Sequence, residues 1–380
     1  MHTAMSYKNL KEIEEAAELL SPPGDTLREM LEERGMTGKE LARRMGDRPE
    51  KTISEILNGK AEITPETAQQ LEYALGAPAE FWLERERRYR LERAQLLTAR
   101  QQLEQVEWAN EFPLAKMKQL GWLAWKGKNP ADKVDAIYTF FAVASPAGYQ
   151  AQYAAATAAY RMGKAEKSPQ AVNAWLRRGE VQAAELAAPQ YDRAAFKAAL
   201  DGPIRQMMVS QPDKFFDSLQ QLCLAAGVKV VHTPCLPGAQ LNGAVRWLAD
   251  TPLIQLSNHY KRNDLFWFTF YHEAGHILLH GKKDLYVEGL QYTHDGKKKE
   301  DEADNLAASY TCPPQHQQAL QQHLAPLRDW TEKARAIKNY APQVPTHPAM
   351  LAGCLARLGY LDQNFGNAVG FYKKIELENA

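Results

Sequence analysis

Five consecutive residues, His272-Glu273-Ala274-Gly275-His276, have the types and spacing to do chemistry. On a helix, residues four apart lie on one face, so His272 and His276 can present two imidazoles to one metal ion. Glu273 sits one position round, beside the metal rather than on it, where it can take a proton from an attacking water. The flanks support burial. From Asp264 to His280 the chain is apolar nearly all round a helix, and the exceptions include these three groups. Asn263 or Asp264 serves as N-cap and Gly281 as the residue after the helix. Buried imidazoles and a buried carboxylate must be satisfied, either by hydrogen bonds within a core helix or by a metal with its water. Spacing and burial together favour the metal, and Zn2+ is the ion expected.

His280 follows His276 by four, but Ile277 stands where an adjacent base would be needed. All three histidines on one ion is disfavoured, because eight residues span ~12 Å of helix. His280 is therefore read as an outer partner. A third ligand is sought in the next helical stretch, Glu300 to Tyr310, ended by Pro313-Pro314. Ala303, Leu306, Ala307 and Tyr310 form its apolar stripe. Glu300 lies ~70° and Glu302 ~90° from the stripe centre, while Asp301 points away. Asp304, four after Glu300, can support it from outside. Alone, this acidic run would read as a solvated helix start favoured by the dipole.

The segment Pro252 to Ser257, then Phe266 to His280, then Glu300-x-Glu-Ala-Asp304 with Leu306-Ala-Ala308, resembles the ImmA/IrrE family of metallo-endopeptidases. The resemblance covers about residues 215–315. It implies an α+β zincin domain, with a small antiparallel sheet beside the motif helix. It implies His272, His276 and Glu300 as ligands and Glu273 as catalytic base. Asp304 stands where the family often has Asn, and Tyr310-Thr-Cys312 where an apolar run is usual. Neither departure touches a ligand.

The front of the chain carries a second pattern. Thr26 to Leu31 opens a helix with Leu27 and Leu31 inward. Gly35 to Ala42 is a turn and a second helix, capped by Thr37 with Glu40 three later. Pro49 to Leu57 is a third, with Pro49 near its first turn. Ile53, Ile56 and Leu57 form its core side. Arg48, Lys51, Glu55 and Asn58 fall opposite, with Thr52 flanking. That is a helix-turn-helix, whose second helix reads the major groove. Gly35 to Leu83 resembles the HigA-type branch of the XRE family, which implies DNA binding through Arg48, Lys51, Thr52, Glu55 and Asn58. Gly38 departs from that pattern, since a DNA-anchoring glutamine often stands there. From Ser21 to Lys60 there are eight Lys/Arg and eight Asp/Glu. Phosphate neutralisation supplies most affinity, so a monomer should bind weakly and a homodimer is expected. A helical protein-interaction module is the competing reading.

Composition is that of an ordinary globular protein. The 380 residues suit two or three domains, and the formal net charge of +0 implies no global steering toward nucleic acid or membrane. There is no long apolar run, and Met1 to Leu20 reads as a charged amphipathic stretch rather than a signal peptide. Cys223, Cys235, Cys312 and Cys354 form no C-x-x-C, which fits a reducing cytoplasm. Strands are expected at Val228 to His232, Ala244 to Leu248 and Leu253 to Ser257. Gly243 to Leu248 is the candidate edge strand for an extended substrate. His347 reads as a turn or cap residue.

The expectation is mainly α with a small antiparallel sheet, behind an all-α N-terminal domain. Its parts are a helix-turn-helix domain (21–87), a helical middle region (88–212), a zincin-like domain (213–320) and a C-terminal helical region (321–380). The functional expectation is a cytoplasmic, DNA-binding zinc metallo-endopeptidase. Family resemblance suggests a repressor or antitoxin as substrate, in a prophage, mobile-element or stress circuit. The alternative is an antitoxin-type transcriptional regulator whose zinc is structural or sensory. The intact Glu273 favours the enzyme, because a structural site needs no base. His259, Tyr271, Tyr286, Tyr292 and His294 are unranked candidates for oxyanion stabiliser.

Overall fold

The computed structural model describes residues 7–127, 129–161, 168–257, 259, 261–282, 286–287 and 294–375. The chain divides into two compact units. One is Met1–Asn110 with Ala124–Thr139, the other Glu111–Leu123 with Phe140–Ala380. The helical middle region expected at 88–212 is thus shared between them.

The first unit is helical. Helices Pro23–Glu33, Gly38–Arg44, Glu50–Leu57 and Pro65–Leu75 are followed by the long helix Ala79–Glu104. Leu27, Leu31, Leu41, Ile53, Ile56, Leu71 and Trp82 close one core. Each large side chain buried there contributes about 1.5–3 kcal/mol relative to exposure. Thr37 caps the second helix by accepting from Glu40 N at 3.1 Å. The capping box is only half made, because Glu40 reaches forward to Arg44 instead. Gly24 is a close-approach glycine: a Cβ there would lie 2.2 Å from Ile56 O, so the first helix presses directly on the end of the third.

In the second unit the order of strands is β1 (Lys229–His232), β3 (Thr251–Leu256), β2 (Gly243–Leu248), β4 (Tyr286–Val287). The antiparallel expectation holds for β2 against β3 and β4, but β1 runs parallel to β3. The chain reverses between β1 and β2 and again in the tight turn at Ala249-Asp250. The third strand therefore points the same way as the first and lies beside it, so the sheet is mixed. Nor is β2 an edge strand. Ala244 and Val245 pair with Val287 and Tyr286 of β4, which the chain adds after the motif helix.

Neighbouring strand residues face opposite ways. Val230, Val245, Ile254 and Leu256 join Phe270, Ala274 and Ile277 of the helix Asn263–Leu279 in the main core. Val231 and Leu253 instead meet Ala183 of the helix Pro169–Ala184. That helix, which the sequence left in the middle region, covers the other face of the sheet. Its contact is polar as well as apolar. Gln255 Nε2 donates to Trp175 O at 2.6 Å and to Thr233 Oγ1 at 2.9 Å, and Gln182 Nε2 donates to His232 O at 2.8 Å. Gly179 makes this close approach workable, since a Cβ there would lie 2.1 Å from Gln255 Oε1.

The C-terminal segment clamps the start of the motif helix. Asn263 N donates to Lys373 O at 3.1 Å, and Lys373 N returns a bond to Asn263 Oδ1 at 3.1 Å. The N-cap is Arg262, one residue before the expected Asn263 and two before Asp264. At the other end His280 is the C-cap in extended conformation, and Gly281 is not left-handed.

Candidate metal centre

The motif helix Asn263–Leu279 buries His272, Glu273 and His276 to 5%, 1% and 2% exposure. Opposite lies the helix His294–Thr311, which begins six residues before the expected Glu300. Glu300 is therefore well inside a helix rather than at a solvated start. The two helices cross at Gly275, where a Cβ would stand 3.1 Å from Ala303 Cα. That close crossing brings the Glu300 carboxylate to both imidazoles. Its Oε2 is 3.2 Å from His272 Nε2 and its Oε1 is 3.4 Å from His276 Nε2. The two Nε2 atoms are 3.0 Å apart.

His272, His276 and Glu300 thus offer three ligand atoms within 4.8 Å of one another. The residues fit a metal on their own chemistry. Glu300 Oε1 is buried without a hydrogen-bond partner. Two nitrogens and a carboxylate converge with little to share among them but protons. Protons are shared unevenly between the two imidazoles. Burial opposes charge on His272, but hydrogen bonds to Asp304 and Glu300 override it and push its pKa up to about 11. Burial, then the charges of His272 and His280, hold His276 down to about 2. Two imidazoles and one carboxylate are a donor set suited to a divalent cation.

Glu273 lies beside this triangle and against β2. A Cβ on Gly243 would stand 2.8 Å from Glu273 Oε1 and 2.8 Å from Thr269 Cγ2. The glycine at the start of β2 makes room for the carboxylate. Asp304 Oδ1 is 2.9 Å from His272 Nδ1, so it backs a histidine rather than Glu300. His280 backs the other, its Nδ1 2.9 Å from His276 Nδ1. Glu302, the competing third ligand, reaches His280 Nε2 at 3.1 Å instead. Further along the same face of the motif helix, Leu265 and Phe268 border a cavity of about 410 Å3 with Met350, Cys354 and Arg357.

Of the oxyanion candidates, Tyr271 is turned into the core and stacks on Tyr310 at 4.3 Å. His259 donates its backbone N–H to Ser257 Oγ at 3.0 Å. Tyr292 lies outside the described residues, as do the side chains of Tyr286 and His294. Sequence reasoning named Gly243, Ala303 and Glu302 but not their roles: room for Glu273, the helix crossing and the contact to His280. Gly243 reads as the start of a strand, and nothing local says that its missing side chain serves a distant carboxylate.

In the first unit, Lys51 is exposed on Glu50–Leu57 and 3.7 Å from Glu55, with Thr52 half-buried beside it. Arg48 precedes the helix and turns inward, 2.8 Å from Thr67 Oγ1 and 3.4 Å from Glu66. Asn58 folds back on Ser54 O at 2.7 Å, at the helix end.

Comparison with known proteins agrees with this division. Residues 27–82 match the family model described as helix-turn-helix, and residues 223–335 match that of the IrrE N-terminal-like domain, a peptidase family. The chain therefore carries an XRE-type helix-turn-helix domain ahead of an IrrE/ImmA-like peptidase domain. It is also similar to an uncharacterized HTH-type transcriptional regulator, YddM, of Escherichia coli (strain K12). The two are 41% identical over 61 residues, which cover 16% of this chain and 64% of that protein. No helix among the described residues is long and apolar enough to cross a membrane.

Proposed function

We propose that this chain is a zinc-dependent endopeptidase joined to a sequence-specific DNA-binding domain, and that it cleaves a regulatory protein such as a repressor or antitoxin. The observation that carries the reading is the buried Glu273 carboxylate, held beside the His272–His276–Glu300 triangle in space left by Gly243. His272, His276 and Glu300 would hold the ion, which when bound polarises a water and the scissile carbonyl. Glu273 takes the proton of the attacking water and passes it to the leaving amine. Asp304 holds His272 in orientation by its hydrogen bond. The test is to express wild type and Glu273→Gln beside the product of the adjacent gene and follow that partner by intact mass. A partner cut by wild type and spared by the variant is expected, with at least ~100-fold loss of rate.

For the first unit we propose operator binding as a homodimer, with Lys51 and Thr52 at the groove and half-sites about one helical turn apart. A gel shift with the chain's own promoter region should show preference over random DNA, weakened in Lys51→Ala. No preference at moderate salt would favour a protein-interaction module. One observation favours a second reading of the whole, a transcriptional regulator whose metal is structural or sensory: the similar protein from Escherichia coli is described as a regulator. In that case wild type and Glu273→Gln alike leave the partner uncut, with repression unchanged between the two.

A further inference from the structure

The two metal-site histidines are backed differently on their outer sides. His272 Nδ1 meets a carboxylate directly, Asp304 Oδ1 at 2.9 Å. His276 Nδ1 meets a second imidazole, His280 Nδ1 at 2.9 Å, whose Nε2 lies 3.1 Å from Glu302 Oε2. The His280 side chain is 2% exposed and that of Glu302 44%, so the imidazole is enclosed and the carboxylate sits at the surface end.

A neutral imidazole has one N–H and one lone pair, which fixes the direction of such a chain. If His276 offers its Nε2 lone pair inward, beside His272 Nε2 and Glu300, its proton is on Nδ1. That N–H donates to His280 Nδ1, which must then carry the lone pair. His280 in turn keeps its proton on Nε2 and donates it to Glu302, which can only accept. Every atom along His276–His280–Glu302 then has a matching role. The reverse direction fails at the last step, where an ionised carboxylate has no proton to give.

We propose that Glu302 is a positioning residue of the metal centre. It acts through His280 to hold His276 in the tautomer and orientation that present Nε2 to a divalent cation. The proposal rests on the metal-site reading above. It assigns three carboxylates of the helix His294–Thr311 to three tasks: Glu300 faces both imidazoles, Asp304 backs His272, and Glu302 backs His276 through one intervening ring. Lys298 approaches the other oxygen of Glu302 at 3.9 Å and leaves Oε2 to His280.

Zinc affinity of the full chain, measured by competition with a chromophoric chelator, tests this without any substrate. Glu302→Gln keeps the shape but removes the charge. It should weaken zinc about tenfold, the low end of the effect of outer partners. The melting temperature of the metal-free protein should match wild type, because the substitution is at the surface. His280→Phe should weaken zinc at least as much. The double variant should be no worse than His280→Phe alone, because Glu302 acts only through His280. Should His280→Phe not fold, the affinity of Glu302→Gln decides by itself. A Glu302→Gln protein that binds zinc as tightly as wild type overturns the proposal, as do losses that add in the double variant. A fall in melting temperature without a fall in affinity means that Glu302 only ties the helix end. Wild type that takes up no zinc overturns the metal reading and this proposal with it.

Discussion

Glu300 faces two imidazoles at once, at 3.2 and 3.4 Å. Glu300→Gln should therefore lower metal affinity by more than ~100-fold, beyond the loss typical of an outer partner. Equilibrium dialysis against zinc checks this, and an unchanged affinity would place the third ligand elsewhere. Gly243 makes a second prediction at the same scale. Gly243→Ala puts a methyl 2.8 Å from Glu273 Oε1, so the carboxylate must swing away. Bound zinc should be retained while cleavage falls on the order of 100-fold, the contribution of a positioned base. Loss of metal together with activity would mean that the methyl disturbs the whole helix instead.

The motif helix is held by the helix His294–Thr311 at the Gly275–Ala303 crossing, by β2 at Gly243, and by the C-terminal segment at Asn263. The helix Pro348–Arg357 packs on it as well, and its start is capped by a titratable group. His347 Nδ1 accepts from Ala349 N at 3.2 Å. Burial, then the charge of Lys373, hold the His347 pKa down to about 4. The sign follows from linkage. Between about pH 6.5, the ordinary value, and about pH 4 the unfolded chain binds a proton that the folded chain refuses. Stability supplied by this cap is thus complete above about 6.5 and lost as pH falls toward 4. His347→Asn keeps a capping oxygen and removes the proton site. Its denaturation midpoint should fall less than that of wild type between pH 7 and 5. Parallel pH profiles would show that the cap does not titrate in this window.

At the scale of the molecule, the peptidase-like match begins at residue 223, yet the sheet within it is covered on one face by Pro169–Ala184. A fragment starting at 213, where the sequence reading sets its boundary, would expose Val231 and Leu253. It would also leave the Gln255 amide without its Trp175 partner. Each large apolar side chain so uncovered forfeits about 1.5–3 kcal/mol, a large share of a domain's 5–15 kcal/mol stability. Residues 213–375 should therefore fail to show a cooperative melt. A sharp transition with native-like circular dichroism in that fragment would contradict this.

The site was legible in the sequence where its chemistry is local. His272, Glu273 and His276 are fixed relative to one another by helical periodicity alone, and the pattern of Leu27, Leu41, Ile53 and Ile56 marks the helix-turn-helix in the same way. Glu300 was legible only through resemblance, because angle about a helix axis left Glu302 nearly as good. Only the crossing of two helices at Gly275 and Ala303 separates them, sending Glu300 to both imidazoles and Glu302 to His280. The strands at Val228, Ala244 and Leu253 were legible as short apolar runs between turn residues, but not that β1 lies parallel to β3 or that β4 covers part of β2. Nor could the helix at 169–184 be assigned to the sheet from its own residues. Periodicity reports which side of an element is buried. What buries it is decided by contacts between residues far apart in the chain, which local spacing does not encode.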